Sequence, residues 1–317
     1  MDFKIHRAIV LTGCALFCLT GCNKKQPSLQ ETMQKTVQYQ LEKVPRPESA
    51  SIGGEWTVIS LMRSGEKIPD SYGEIYLSNL KKRLKENEGI LSERKYTEYA
   101  RAALATASLG ENPSSLDGYN LLEPLTDLEM VTKQGMNGAV FALIALEAVD
   151  ESSYDETKEA LTGWIVEREL PEGGFSLEES EKEQADADIT AMVLQALAPY
   201  QNQEDISPVI ERGVDVLSDL QSSDGMYVSL GEKNCETAAQ VLIALSSLGI
   251  DGQQDERFVK GDTGVWDAVM EFYDGKGGFS HVLGGETDAM ATDQALCGLD
   301  AYLRYQNGES MLYEMNK

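Results

Sequence analysis

Residues 186–200, DADITAMVLQALAPY, decide how the chain is read. Two carboxylates open the stretch, an apolar run too short to span a membrane follows, and neither Gly nor Pro interrupts it before Pro199. This pattern predicts a buried helix with an acidic N-terminal end. The same apolar face recurs in RAALATASL ending at Leu109, GAVFALIAL at Leu146, TAAQVLIAL at Leu245 and ATDQALCGL at Leu299, with a weaker copy, GEWTVISL, at Leu61. Successive copies are 48, 37, 51, 48 and 54 residues apart. A period near fifty marks a repeat whose units bury their faces only against one another.

Striped segments separate the copies. Leu77, Leu80 and Leu84 share one helical face, as do Leu161, Trp164 and Ile165, then Val209, Ile210, Val214 and Leu217, then Val265, Trp266, Val269 and Met270. Residues 117–135, with Pro124 inside a leucine pattern, break the regularity. Helices apolar all round alternate with helices apolar on one side. A closed ring of helical hairpins requires this, because inner helices touch neighbours on both sides while outer ones face water. Ahead of the repeats, Leu29, Met33, Val37, Leu41 and Val44 predict a surface helix that Pro45 and Pro47 terminate. The expected organisation is therefore an N-terminal helix and linker over 29–47 and an all-α repeat domain over 48–317.

Each late striped segment ends in a glycine turn: EGGFS at 172–176, DGMYVS at 224–229 and KGGFS at 276–280, with EGILS at 88–92 as a fainter version. Glycine permits the positive φ that stops a helix. Phe175, Tyr227 and Phe279, spaced by 52 and 52, are expected to fold back and pin the turns rather than to line a cavity.

A formal net charge of −26, from 27 basic and 53 acidic residues in 317, repels nucleic acid and anionic lipid headgroups alike. Residues 1–22 carry a basic start, a short apolar run and the ending LTGC at 19–22, which predicts an export signal over 1–21. That ending resembles a bacterial lipobox, which implies cleavage before Cys22, a lipid on its thiol and a tether over 22–28. The chain would then sit on the bacterial cell surface, held to the outer face of the cytoplasmic membrane. Cys14 and Cys18 fall within the leader, and Cys235 and Cys297 read as small buried hydrophobes. His6 and His281 are the only histidines, no Cys or His pair beyond the leader has zinc-ligand spacing, and no cofactor or metal is expected.

Gln221, Gly225 and Tyr227 resemble the QW repeat of squalene cyclases and related prenyltransferase proteins, with Tyr for Trp; Glu169, Gly173, Phe175 and Tyr273, Gly277, Phe279 are looser copies. The resemblance implies an (α/α)6 toroid of six inner and six outer helices around a central funnel. Prenyltransferase-repeat domains of Gram-positive surface proteins and the helical domain of cobalamin carriers are similar in form. In the class II terpene cyclases of this family a DxDD motif followed by threonine supplies the proton. Here Asp186, Asp188 and Thr190 match, Ile189 stands in the place of the last aspartate, and Asp188 would be the donor. The zinc ligands of protein prenyltransferases and the GCGEQ of thioester domains are absent.

The polar residues at the starts of the inner helices admit three readings: N-caps, ligand contacts or acids. Asn137 occupies in its copy the place of Asp188 and Glu236, and a cap needs only a polar oxygen. The leading functional expectation is a lipid-anchored toroid that does no chemistry. It would bind a corrinoid, a hydrophobic small molecule or a surface partner through Tyr99, Asn137, Asp186, Asp188, Glu236 and Met290. The alternative is an enzyme, terpene-cyclase-like or carbohydrate-active, with Asp188 as acid.

Overall fold

A computed structural model describes residues 27–315 apart from 52, 150 and 178–183. The leader, Cys22 and the first part of the tether lie outside the described residues. Within them, twelve α-helices alternate in role. In chain order they are α1 (Leu29–Lys43), α2 (Glu55–Arg63), α3 (Asp70–Glu86), α4 (Thr97–Ser108), α5 (Leu128–Thr132), α6 (Gly135–Glu147), α7 (Asp155–Val166), α8 (Ala187–Leu197), α9 (Ser207–Leu220), α10 (Cys235–Ser247), α11 (Val265–Met270) and α12 (Ala289–Asn307).

The even-numbered helices are the six inner ones. Each packs on the next, from α2 through α4, α6, α8 and α10 to α12, and α12 returns to α2 and closes the ring. Burial follows the expected division: every residue of α10 from Thr237 to Ser247 is buried, whereas α9 buries a stripe of Val209, Ile210, Gly213, Val214 and Leu217. Isolated helices of nine to fourteen residues are marginal in water, so these persist only because the ring buries them. Each fully buried leucine contributes about 2 kcal/mol on transfer grounds.

The sixth outer helix is α1. It packs on α12 and α2, burying Met33 and Val37, so the helix that the sequence sets apart completes the ring. The closure is polar as well as apolar. Asp293 on α12 accepts from Thr57 Oγ1 of α2 at 2.8 and 2.9 Å and from the Gln40 amide of α1. Burial is the main cause that pushes the Asp293 carboxyl up to about 7, and these hydrogen bonds oppose the shift. A glutamine chain adds to it: Gln195 donates to Gln240, which donates to Gln294, tying α8, α10 and α12 at 2.7 and 2.6 Å.

The irregular stretch around Pro124 resolves into a 3-10 turn, Glu123–Thr126, and the five-residue α5, a degenerate outer helix. It sits tight against its inner partner. A Cβ on Gly138 would come within 2.0 Å of the Val131 carbonyl, so only glycine fits there.

Two small hairpins stand at the ring's N-terminal end, β1 (Val228–Ser229) with β2 (Glu232–Lys233), and β3 (Phe279–Ser280) with β4 (Thr287–Asp288). The turn aromatics are staples: Phe175, Tyr227 and Phe279 are fully buried. The main-chain N–H groups of Phe175 and Phe279 donate to Thr190 and Thr292 of the following inner helices, each at 3.0 Å. Gln221 secures the third turn by donating to the carbonyls of Gly225 and Phe258, both at 3.0 Å. Cys235 and Cys297 are buried free thiols. No helix among the described residues is long and apolar enough to cross a membrane.

Candidate functional site

All the inner helices start at the same end of the ring, so their N-terminal side chains meet there. Capping turns out to be divided between neighbours. Asp186 caps α8, its Oδ1 accepting from the N–H groups of Asp188 and Ile189 at 2.9 and 3.1 Å. Asn234 caps α10 through the N–H of Thr237 at 2.8 Å, and Asp288 caps α12 through that of Ala291 at 2.9 Å. Asp188 and Glu236 stand two residues past these caps, so capping accounts for Asp186 and leaves those two carboxyls for another role.

The hairpins frame the acids. Ser229 of β1 donates to the second oxygen of Asp186 at 2.8 Å, fixing the cap. The β3–β4 hairpin crosses the start of α10, where the Cys235 N–H donates to the His281 carbonyl at 3.0 Å. That contact holds the His281 ring over Glu236, with Nδ1 at 2.8 Å from Oε2. The hydrogen bond to Glu236 raises the imidazole above its ordinary range.

Asp188 is raised further, up to about 7, first by burial, then by the charges of Asp186 and Glu236. The positive end of a helix favours the ionised form. Desolvation and two neighbouring carboxylates outweigh it, so Asp188 holds its proton near neutrality. One carboxyl is thus raised toward neutrality, and the other that contributes to the shift is oriented by a histidine.

Deeper in the ring, Trp56 of α2 and Phe141 of α6 meet edge to face, their centroids 5.4 Å apart. Because α4 separates α2 from α6 around the ring, this pair can meet only on its inner side, and both rings stay partly exposed. They form an aromatic wall below the mouth. Asn137 lies one turn before Phe141 on α6, and its buried Oδ1 has no partner. It is the third residue of α6 and forms no cap, contrary to its reading as a sibling of the capping acids.

The remaining expected contacts divide. Met290, half exposed, opens α12 at the mouth. Tyr99 turns elsewhere: it is buried and its hydroxyl accepts the N–H of Leu91 at 3.0 Å. It takes in its copy the stapling place of Thr190 and Thr292, so its hydroxyl is committed to a turn. Sequence reasoning passed over His281, Trp56 and Phe141; the only signal for His281 is its position directly after KGGFS. Among the described residues no group of three or more His, Cys, Asp or Glu side chains could hold a metal ion.

The model of the prenyltransferase alpha-alpha toroid domain matches residues 120–313. The chain belongs to this family. No curated protein sequence matches it. Solved structures share the toroid at low identity. An unsaturated glucuronyl hydrolase from Bacillus sp. GL1, responsible for the degradation of glycosaminoglycan, matches at TM-score 0.60 and 13% identity over 92% of this chain and 100% of its own. A possible GH105 family member from Salmonella enterica serovar Paratyphi A matches at 0.55 and 10%, over 97% and 100%. The ent-copalyl diphosphate synthase of Streptomyces platensis matches at 0.53 and 17%, over 80% of this chain but 50% of its own. These similarities correct the leading expectation of a binding domain without chemistry. Of the toroids matched over their full length, one is named as a glycosaminoglycan-degrading hydrolase and one as a possible GH105 family member, which agrees with the enzyme alternative better than with that expectation.

Proposed function

We propose that this toroid is a glycan-cleaving hydrolase with Asp188 as its general acid. The observation that carries the reading is the arrangement at the mouth: Asp186, held by Ser229, takes up the capping of α8, and Asp188, which caps nothing and whose carboxyl burial and neighbouring charge push up to about 7, lies in the field of a Glu236 carboxylate held by His281. In the reaction, the Asp188 O–H gives its proton to the glycosidic oxygen as the bond to the anomeric carbon breaks. Water adds to that carbon, and Glu236, steadied by His281, takes the water's proton. The Trp56 and Phe141 rings supply apolar faces for a sugar. With Asp186, Asp188, Glu236 and Asp288 at the mouth, a neutral or amino sugar suits the site better than an anionic uronate.

A cyclase reading draws on the same fold but meets buried Ile189 where its motif has a further aspartate. The leader supports an enzyme carried on the cell surface by a lipid on Cys22, which fatty-acid labelling of the wild type and its absence in Cys22→Ala would test. The activity itself is tested by incubating the purified protein with neutral, amino-sugar and uronate-ended oligosaccharides and following release by chromatography. Cleavage that disappears in Asp188→Asn is expected; no cleavage of any glycan overturns the reading.

A further inference from the structure

Among the described residues eight large apolar side chains are exposed, and six of them, Ile90, Leu177, Val228, Leu230, Leu283 and Met290, lie in the turns, hairpins and helix start that frame the mouth. None of the eight is aromatic. Leu230, at the tip of the β1–β2 hairpin, is 96% exposed, and Leu283, in the loop between β3 and β4, is half exposed.

Leu230 is strained where it stands. Ser229 and Glu232 pair across a two-residue loop, in which Leu230 and Gly231 both take positive φ, 51° and 87°. Asn, Asp or Gly normally fills such a loop, because a bulky side chain in the left-handed region crowds its own backbone. A leucine here neither eases the turn nor leaves water, so its use lies in what it touches outside the chain.

Both tips are tied to the acids. Ser229, next to Leu230, donates to Asp186 at 2.8 Å, and His281, two residues before Leu283, bonds Glu236 at 2.8 Å. The hairpins also connect, through the bridge from Asn234 to Val282. With a sugar on the Trp56 and Phe141 rings and its glycosidic oxygen at Asp188, the aglycone emerges among these tips.

The surroundings select the aglycone. Aliphatic tips lack the aromatic faces on which a further sugar ring would stack. Glu232, Glu286 and Asp288 are exposed around them, whereas Lys233 is paired with Asp224 and His281 with Glu236, so an anionic group is repelled. The chain enters the ring at the far end, where Gln30 of α1 donates to Glu66, just past α2, at 2.7 Å. An anchor on Cys22 would hold the ring by that end, so the rim does not serve to rest on the anchoring membrane.

We propose that the site takes glycosides of an uncharged aliphatic alcohol, with the sugar in the funnel and the alkyl chain lying on Leu230 and Leu283. This rests on the hydrolase reading above: the Asp188 proton goes to the glycosidic oxygen, which leaves as the alcohol. The hydroxyl of water joins the anomeric carbon, and its other proton goes to Glu236.

Methyl and octyl glycosides of glucose, galactose, glucosamine and N-acetylglucosamine, in both anomers and below the micelle concentration, test it by calorimetric binding and by release of the alcohol. Each methylene removed from water gives a roughly fourfold gain in affinity, so two or three seated on the tips predict an octyl form bound at least about tenfold more tightly than its methyl partner. The double variant Leu230→Asn, Leu283→Asn keeps the turn, since asparagine suits the left-handed position, and should cut that ratio below about threefold, with folding checked by circular dichroism. Equal binding of methyl and octyl forms, a ratio unchanged in the double variant, equal binding of 1-octanol without a sugar, or no saturable binding would overturn the proposal. The wild-type comparison of octyl glycoside, methyl glycoside and octanol decides it even where the variant does not fold. Binding thus decides the rim and alcohol release decides the hydrolase: an octyl preference without cleavage would support the rim and overturn the hydrolysis alone.

Discussion

His281 and Glu236 meet at the mouth of the ring, Nδ1 to Oε2 at 2.8 Å, although 45 positions separate them. The contact exists because the β3–β4 hairpin of one repeat crosses the first turn of α10 in the repeat before it. If Glu236 takes the proton of the attacking water, Glu236→Gln lowers kcat by about a hundredfold or more. His281→Ala lowers it by about tenfold and also changes the pH profile, because the charged pair is complete below the raised histidine pKa and is lost as pH rises through it. Steady-state rates across pH 5 to 9 on a cleaved oligosaccharide check both.

Asp188 should trade stability against activity. Its folded-state pKa of about 7 lies above that of an exposed carboxyl. The folded chain therefore holds this proton more tightly than the unfolded chain, and the group's contribution is full at acid pH and lost as pH climbs through 7. Asp188→Asn should match the wild type near pH 4 and exceed it by about 1–3 kcal/mol at pH 8. Urea denaturation at the two pH values measures this. The same substitution abolishes cleavage, and the wild-type rate falls above pH 7 as the acid loses its proton.

Two staples separate turn-fixing from contact with the funnel. Tyr99→Phe removes the acceptor for the Leu91 N–H and should cost about 1 kcal/mol of stability with no change in KM. Thr190→Val removes the Phe175 anchor at a similar cost, but it lies half a turn past Asp188 and should also reduce kcat. Thermal melts and kinetics on the two variants distinguish them, and a large rise in KM for Tyr99→Phe would place its hydroxyl in the site after all.

Ring closure rests on Asp293. Asp293→Ala leaves Thr57 and Gln40 without their common acceptor and should destabilise the fold by about 2–4 kcal/mol, whereas Asp293→Asn, which keeps an acceptor, should cost about 1 kcal/mol. Denaturant midpoints give both values. A small effect from Asp293→Ala would mean that apolar packing alone closes the ring.

The sequence determined the alternation of inner and outer helices, the glycine turns and the buried fate of Phe175, Tyr227 and Phe279. These features repeat at fixed spacing, and local periodicity is set by which face of each helix must leave water. It also determined that polar residues start the inner helices. Only the tertiary structure decided what those residues do. Asp186, Asn234 and Asp288 cap, Tyr99 pins a turn, Asp188 and Glu236 cap nothing, and α1 supplies the sixth outer helix. A cap and an acid are the same residue type two positions apart. What separates them is burial, neighbouring charge and a hairpin arriving from the next repeat, and all three arise only when the ring closes.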